Sequence, residues 1–313
     1  MKVVLQYRAS PGFRAQIDGI FGPGEVTIID EDDLGAFARE MANASALLHV
    51  LKPVTAEVMA GAPRLRLVQK LGVGVNTIDL AAAKARGVAV ANMPGTNSAA
   101  VAEMALCLML AVLRRTLYLD SLTRAGEGWR PDPAVIDQTG EIGGRTVGLV
   151  GFGASAARLA PVLTALGARV VYTARSRKAG APYEFMLLDE LLAESDIVCL
   201  HLPLTEVTFG LIGERAIARM KPGSILINTA RGELVDEAAL ADALSRGALR
   251  GAGLDVFANE PLGADTALFA LPNVVLSPHQ AWLTPETLAR SLAVAHENCR
   301  RLAAGEALLH RIV

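Results

Sequence analysis

At 313 residues with 52% hydrophobic side chains, the chain is long enough to bury a large core and most naturally forms two domains. A formal net charge of -2, with the basic residues dispersed, offers no field for nucleic acid or an anionic membrane surface, and no apolar run is long enough to span a bilayer. Cys107, Cys199 and Cys299 are far apart, without a CxxC pair or a metal-ligand rhythm, a pattern that fits a reducing cytoplasm and no bound metal.

Short β-rich runs alternate with alanine-rich helical segments from the start: KVVLQY, VTII, ALLHVL, RLVQKL and VAVAN, each followed by a turn or helix former. The helical run over residues 97–119 is predicted as a crossing link, with its apolar stretch at 104–113 buried. After the loop EGWRPDPAVIDQTGEIGG a second series begins: TVGLVGFG, RVVYTAR, DIVCLHLP, SILINTA, GAGLDVF and NVVLSPH. These strands lack strict alternation, so both faces of their sheets are predicted to be covered by helices. A C-terminal helix over residues 285–305 is expected to return to the first unit. The fold class is therefore α/β: two doubly wound Rossmann-like domains with a ligand cleft between them, the first discontinuous. The predicted division is 1–97 plus 286–313 for a flavodoxin-like, substrate-binding domain and 98–285 for a dinucleotide-binding domain.

The segment TVGLVGFGASAARLA reads as strand, glycine-rich turn and helix start. Gly151 permits the tight turn, Gly153 lets the backbone approach a pyrophosphate, and the amides of Ala154 and Ser155 present the helix N-terminus to it. The next strand normally ends in an acid that holds the adenosine ribose. Here that place holds Thr173, followed by Arg175, Ser176, Arg177 and Lys178, a series that suits a 2'-phosphate and predicts NADP(H) over NAD(H), with NAD(H) still possible. A solvated basic loop is the plainer alternative.

Three polar residues stand at strand ends where a packed core would not choose them: Arg231 in INTARGELVDE, Glu260 in GLDVFANEPL and His279 in LSPHQAWLTPE. Singly they read as a surface ion pair, a turn acid and a satisfied histidine. Together with LGVGVNTIDL, NMPGTNSAAVAE, GLVGFG and HLPLTEVTFGLI, in this order, they resemble the D-isomer-specific 2-hydroxyacid dehydrogenase family across nearly the whole chain.

The resemblance implies a catalytic set of Arg231, Glu260 and His279. His279 would exchange the hydroxyl proton at the 2-position while a nicotinamide exchanges the hydride, and Glu260 would orient the ring and favour its charged form. Arg231 would grip the substrate carboxylate with its planar fork, helped by backbone amides of Val73 and Gly74, while Asn76 and Asp79 support that turn. The resemblance also implies cofactor contacts from Leu202, Pro203, Thr208, Thr229, Ala230, His279 and Asp255, the last near the nicotinamide carboxamide; a strand-end aspartate capping the next turn is its alternative. Trp282 is expected to narrow or cap the substrate pocket, and His49 or Lys52 to add positive charge for an acidic substrate. A small 2-oxo or 2-hydroxy acid such as glyoxylate or hydroxypyruvate is the first expectation, with a homodimer formed through the cofactor domain by an arm at residues 97–133. Phosphoglycerate, phosphite or formate oxidation, or a dinucleotide sensor without turnover, are the alternatives on the same fold.

Overall fold

Strands that read as uninterrupted apolar runs are those covered on both faces, and the computed structural model, which describes residues 1–313, places them in two all-parallel sheets. The chain divides into two compact units, Met1–Asn97 with Leu283–Val313, and Ser98–Trp282.

In the first unit, β1 (Val3–Gln6), β2 (Val26–Ile29), β3 (Ala46–His49), β4 (Leu67–Lys70) and β5 (Ala89–Ala91) lie in the order β2-β1-β3-β4-β5. The helix Pro285–Ala304 belongs to this unit and packs on the helix Pro11–Phe21 and on β4. Its ends are set by sequence: Thr284 accepts the Thr287 amide at 3.1 Å, Pro285 opens the first turn, and Gly305 closes the helix at φ 72°. Buried Asn298 ties it down, donating to Gln69 Oε1 at 2.6 Å and to the Leu309 carbonyl at 3.1 Å.

The second unit holds β6 (Thr146–Val150), β7 (Arg169–Thr173), β8 (Glu184–Phe185), β9 (Ile197–Leu200), β10 (Ile225–Asn228), β11 (Gly251–Leu254) and β12 (Val274–Leu276). Their order, β12-β11-β10-β9-β6-β7-β8, reverses direction between β6 and β9. At such a switch point the loops after neighbouring strands leave to opposite faces and open a crevice for a ligand. The helices Ser98–Leu113 and Ala154–Ala165 cover one face; Leu188–Glu194 and Glu237–Ser245 help to cover the other.

Three details differ from the sequence reading. The edge strand β8 is only two residues long, too short for any periodic signal. The predicted link at residues 97–119 is broken: Arg115 takes a left-handed φ of 52° and starts a separate helix, Thr116–Arg124. Its apolar stretch is buried on one side only, since Cys107 and Leu110 face outward, Leu110 at 39% exposure. No helix is long and apolar enough to cross a membrane.

Candidate active site

Strands β10, β11 and β12 are neighbours, so residues just past their C-terminal ends meet although they lie far apart in sequence. From β12 the chain runs through Ser277 to His279, whose Nδ1 lies 2.6 Å from Glu260 Oε2. The second carboxylate oxygen, Oε1, accepts the Phe257 amide at 3.0 Å, fixing the acid on its own loop. With Nδ1 directed at Glu260, Nε2 is the ring atom left to meet a substrate. Burial pushes the Glu260 carboxyl up, but the His279 hydrogen bond, the Phe257 amide and the His279 and Arg231 charges outweigh it and hold the group below the ordinary glutamate range.

His279 sits at φ 56°, a left-handed conformation that costs a residue with a Cβ on the order of 1 kcal/mol or more. Asp255 holds it there. This residue is fully buried; its carboxylate accepts the Gln280 and Ala281 amides, both at 2.9 Å, and its carbonyl accepts the His279 amide at 2.7 Å. Burial raises the Asp255 carboxyl despite those hydrogen bonds and one from Ser277. The acid at the end of β11 thus braces the loop that carries the histidine.

Arg231 lies just past β10 and is half-buried; desolvation lowers its guanidinium, while Glu233 and Glu260 act in the opposite sense. Asn228, buried at the end of β10, shapes the turn: its Oδ1 accepts the Ala230 amide at 3.0 Å and its Nδ2 donates to the Arg231 carbonyl at 2.8 Å. Arg231 Nη1 donates to the Ala230 carbonyl at 2.6 Å. Thr229 is buried and its hydroxyl has no hydrogen-bond partner within the protein.

At the switch point, Gly151 has φ 95°, and a Cβ there would stand 2.6 Å from the His201 carbonyl oxygen, so only glycine fits. Gly153 caps the helix Ala154–Ala165 without a side-chain hydrogen bond, and a Cβ on it would meet nothing within 4 Å. An open backbone approach to uncapped first-turn amides is what a pyrophosphate needs, so these residues fit a dinucleotide. Beneath the turn, Ser155 Oγ contacts His201 Nδ1 at 3.1 Å and Cys199 Sγ contacts its Nε2 at 3.2 Å. Burial depresses the His201 imidazole to about 4 and raises the Cys199 thiol, so this chain of contacts is uncharged at neutral pH.

Thr173 ends β7 and its carbonyl accepts the Gly151 amide at 2.9 Å. Arg175, Ser176, Arg177 and Lys178 are exposed, and none of the three cations pairs with a carboxylate. The loop is pinned by Tyr172, whose fully buried ring packs on Phe152 at 4.4 Å and whose hydroxyl accepts the Lys178 amide at 2.8 Å. After β9, Leu202 is half-buried and Thr208 closes the next loop, donating to the Pro203 carbonyl at 2.9 Å.

Val73 and Gly74 lie in the first unit, in the turn after β4, where Asn92 donates to the Val73 carbonyl at 2.9 Å. Asp79 caps the helix Leu80–Ala85 through the Ala82 amide at 2.8 Å. Trp282 is half-buried at the end of the second unit. His49 does not carry the positive charge expected of it. It is buried, donates from Nε2 to the Lys52 carbonyl at 2.7 Å, and is pushed down to about 3 by burial and by the nearby Lys70 charge. Lys52 is engaged by Asp32 at 3.3 Å. Sequence reasoning missed Asn228, His201 and the Tyr172 hydroxyl; His201 stands inside the HLPLTEVTFGLI block, but nothing in that run says which atoms it joins.

A parallel-sheet unit with a glycine turn at its switch point and a braced histidine–glutamate pair has the form of a dinucleotide-binding domain with polar groups gathered at its ligand edge. Residues 106–281 match the model of the D-isomer specific 2-hydroxyacid dehydrogenase NAD binding domain. The chain is 40% identical over 261 residues to glyoxylate reductase of Korarchaeum cryptofilum, covering 81% of this chain and 78% of that one. It is 42% identical over 287 residues to D-3-phosphoglycerate dehydrogenase of Mycobacterium leprae, covering 90% of this chain but 53% of the relative, so it spans about half the length of that longer enzyme. Among solved structures, the TT0316 protein from Thermus thermophilus superposes with a TM-score of 0.90 at 37% identity over the whole of both chains. The chain belongs to the D-isomer specific 2-hydroxyacid dehydrogenase family.

Proposed function

We propose that this protein reduces a short 2-oxo acid, glyoxylate or hydroxypyruvate first, to the 2-hydroxy acid, with NADPH as the preferred cofactor. The observation that carries the reading is the His279–Glu260 contact of 2.6 Å at the C-terminal edge of the sheet. The nicotinamide, when bound, supplies or accepts the hydride at C2. His279 handles the accompanying proton: as imidazolium it donates from Nε2 to the carbonyl oxygen during reduction, and as neutral imidazole it takes the hydroxyl proton during oxidation. Glu260 orients the ring and stabilises its charged form, and Asp255 acts as a positioning residue through the Gln280 and Ala281 amides. Arg231 grips the substrate carboxylate, with Trp282 bounding the pocket.

The cofactor preference rests on the loop after β7. Thr173 places no carboxylate against a 2'-phosphate, and Arg175 and Arg177 are exposed without acidic partners. Gly151, Gly153, Ala154 and Ser155 hold the pyrophosphate, while Leu202, Pro203, Thr208, Thr229 and Ala230 line the rest of the path. Outward-facing Leu110, Leu117 and Trp129, exposed at 39%, 55% and 91%, support a homodimer through the second unit.

The test is oxidation of NADPH and NADH against a panel of 2-oxo acids, with His279→Asn as control. Turnover of glyoxylate or hydroxypyruvate, with kcat/KM higher for NADPH and a loss of roughly 10²- to 10⁴-fold in the variant, is expected. Cofactor binding without turnover on any acid refutes the enzymatic reading and leaves a dinucleotide sensor.

A further inference from the structure

Away from the catalytic edge, three arginines gather at the opposite, N-terminal edge of the seven-stranded sheet. Arg145 immediately precedes β6, Arg250 immediately precedes β11, and Arg115 stands at the break after the helix Ser98–Leu113. Arg250 has its Nε and Nη2 sealed from solvent with no hydrogen-bond partner, and Arg115 Nε is in the same state. Desolvation lowers the Arg250 guanidinium, and the charges of Arg145 and Arg115 lower it further, with no carboxylate acting against them. The remaining contacts of the cluster are to neutral groups: Arg115 Nη1 donates to Gln138 Oε1 at 2.5 Å and lies over the Tyr118 ring at 4.9 Å, and Arg145 Nε donates to the Glu141 carbonyl at 2.6 Å. Asp196 lies on the same edge and senses Arg145, but its oxygens are taken by Lys221 at 2.6 Å and by the Thr146 amide at 2.8 Å. Ser224, whose carbonyl accepts the Arg250 amide at 2.9 Å, also has a buried hydroxyl without a partner.

Two of the guanidinium groups come together over a glycine. A Cβ on Gly140 would stand 2.5 Å from Arg145 Nη2 and 3.4 Å from Arg250 Nη2, so both nitrogens lie against the Gly140 backbone and a side chain there would displace Arg145. Gly140 is not in the left-handed region, so its backbone does not require glycine. Like charges brought together out of water, with donors unused, are costly unless an anion completes them. Planar guanidinium forks match the oxygens of a phosphate group, and several converging on one point suit a dianion better than a single carboxylate.

We propose that Arg115, Arg145 and Arg250, the last two packed over Gly140, form a binding site for a phosphate group, free or as a small monoester, distinct from the cofactor cradle. The site lies at the opposite end of the strands from His279. Arg115 falls within the segment proposed as the dimer arm, so carboxylates of a second copy are the competing occupant.

The experiment is thermal denaturation of the cofactor-saturated protein, its pyrophosphate cradle thereby filled, in inorganic phosphate, glycerol 3-phosphate or chloride at matched ionic strength. Phosphate is expected to raise the wild-type Tm by roughly 2–4 °C at ten times its Kd, with chloride inert. A larger shift with glycerol 3-phosphate identifies a monoester as the ligand, and equal shifts identify the phosphate group alone; both support the site. Arg250→Gln should abolish the shift while melting no lower than wild type in chloride, because it removes an unpaired charge. Gly140→Ala keeps every arginine but pushes the Arg145 guanidinium out of place, and it should abolish the shift as well. A wild-type response equal in phosphate and chloride, or a wild-type phosphate shift retained in both variants, overturns the proposal. It is also overturned if phosphate has no effect and Arg250→Gln instead weakens self-association in sedimentation runs, which gives the arginines to a second copy.

Discussion

Replacing Glu260 by Gln keeps the shape of the side chain and removes its charge, and the hydrogen bonds it makes set the outcome. Both carboxylate oxygens are in use, Oε2 with His279 Nδ1 at 2.6 Å and Oε1 with the Phe257 amide at 3.0 Å. A carboxamide has one acceptor oxygen, so one of those two N–H groups must face an NH2 donor. Loss of a charge-assisted hydrogen bond costs about 1.5–3 kcal/mol, and the lower half of that range applies because the Glu260 side chain is 33% exposed. At about 1.36 kcal/mol per factor of ten, kcat/KM for reduction should fall roughly 10- to 50-fold. The assay is kcat/KM for the 2-oxo acid between pH 5 and 9 at saturating NADPH, with cofactor affinity measured separately and expected to be unchanged. A variant with wild-type kcat/KM would refute the assigned partnership.

Asp255→Asn leaves one acceptor for the Gln280 and Ala281 amides, so the fold should lose about 1–3 kcal/mol and kcat should fall with it; unchanged melting and unchanged kcat would count against the bracing role. Tyr172→Phe frees the Lys178 amide and should lower the NADPH-to-NADH ratio of kcat/KM several-fold with kcat on NADH preserved, and Thr173→Asp should reverse the preference; a ratio untouched by both defeats the loop assignment. His49 and His201 are held down to about 3 and about 4 in the folded protein, against 6.5 ordinarily, so below pH 6.5 the unfolded chain binds protons the folded chain does not. Stability should therefore fall as pH drops, by up to about 1.36 kcal/mol per pH unit for each histidine, and calorimetry from pH 7 to 4.5 on wild type and His49→Gln should show the shallower slope in the variant. A flat wild-type Tm over that range rules this out.

The strands were legible because parallel strands covered on both faces are written as unbroken apolar runs, and VVLQ, ALLH and IVCL stand out against their alanine-rich helices. Two-residue β8 carries no such run, and the break at Arg115 has no glycine or proline to announce it. At the site, Arg231, Glu260 and His279 were visible as polar residues at strand ends. What the sequence does not display is which atoms they engage. Asp255 reads equally well as a ligand-facing acid or a turn cap, and only the path of the chain after β12 shows both oxygens turned to Gln280 and Ala281. His49 failed for the same reason: its position at the end of β3 was readable, but its burial was not.

Every group that fixes His279, namely the Asp255 carbonyl and carboxylate, the Ser277 carbonyl and the Glu260 carboxylate, comes from the single stretch Ser98–Trp282. The other unit, with Val73 and Gly74, contributes none of them. Proton handling is therefore inherited as one continuous piece of chain, and substitutions confined to the first unit leave every contact of the acid–base pair in place.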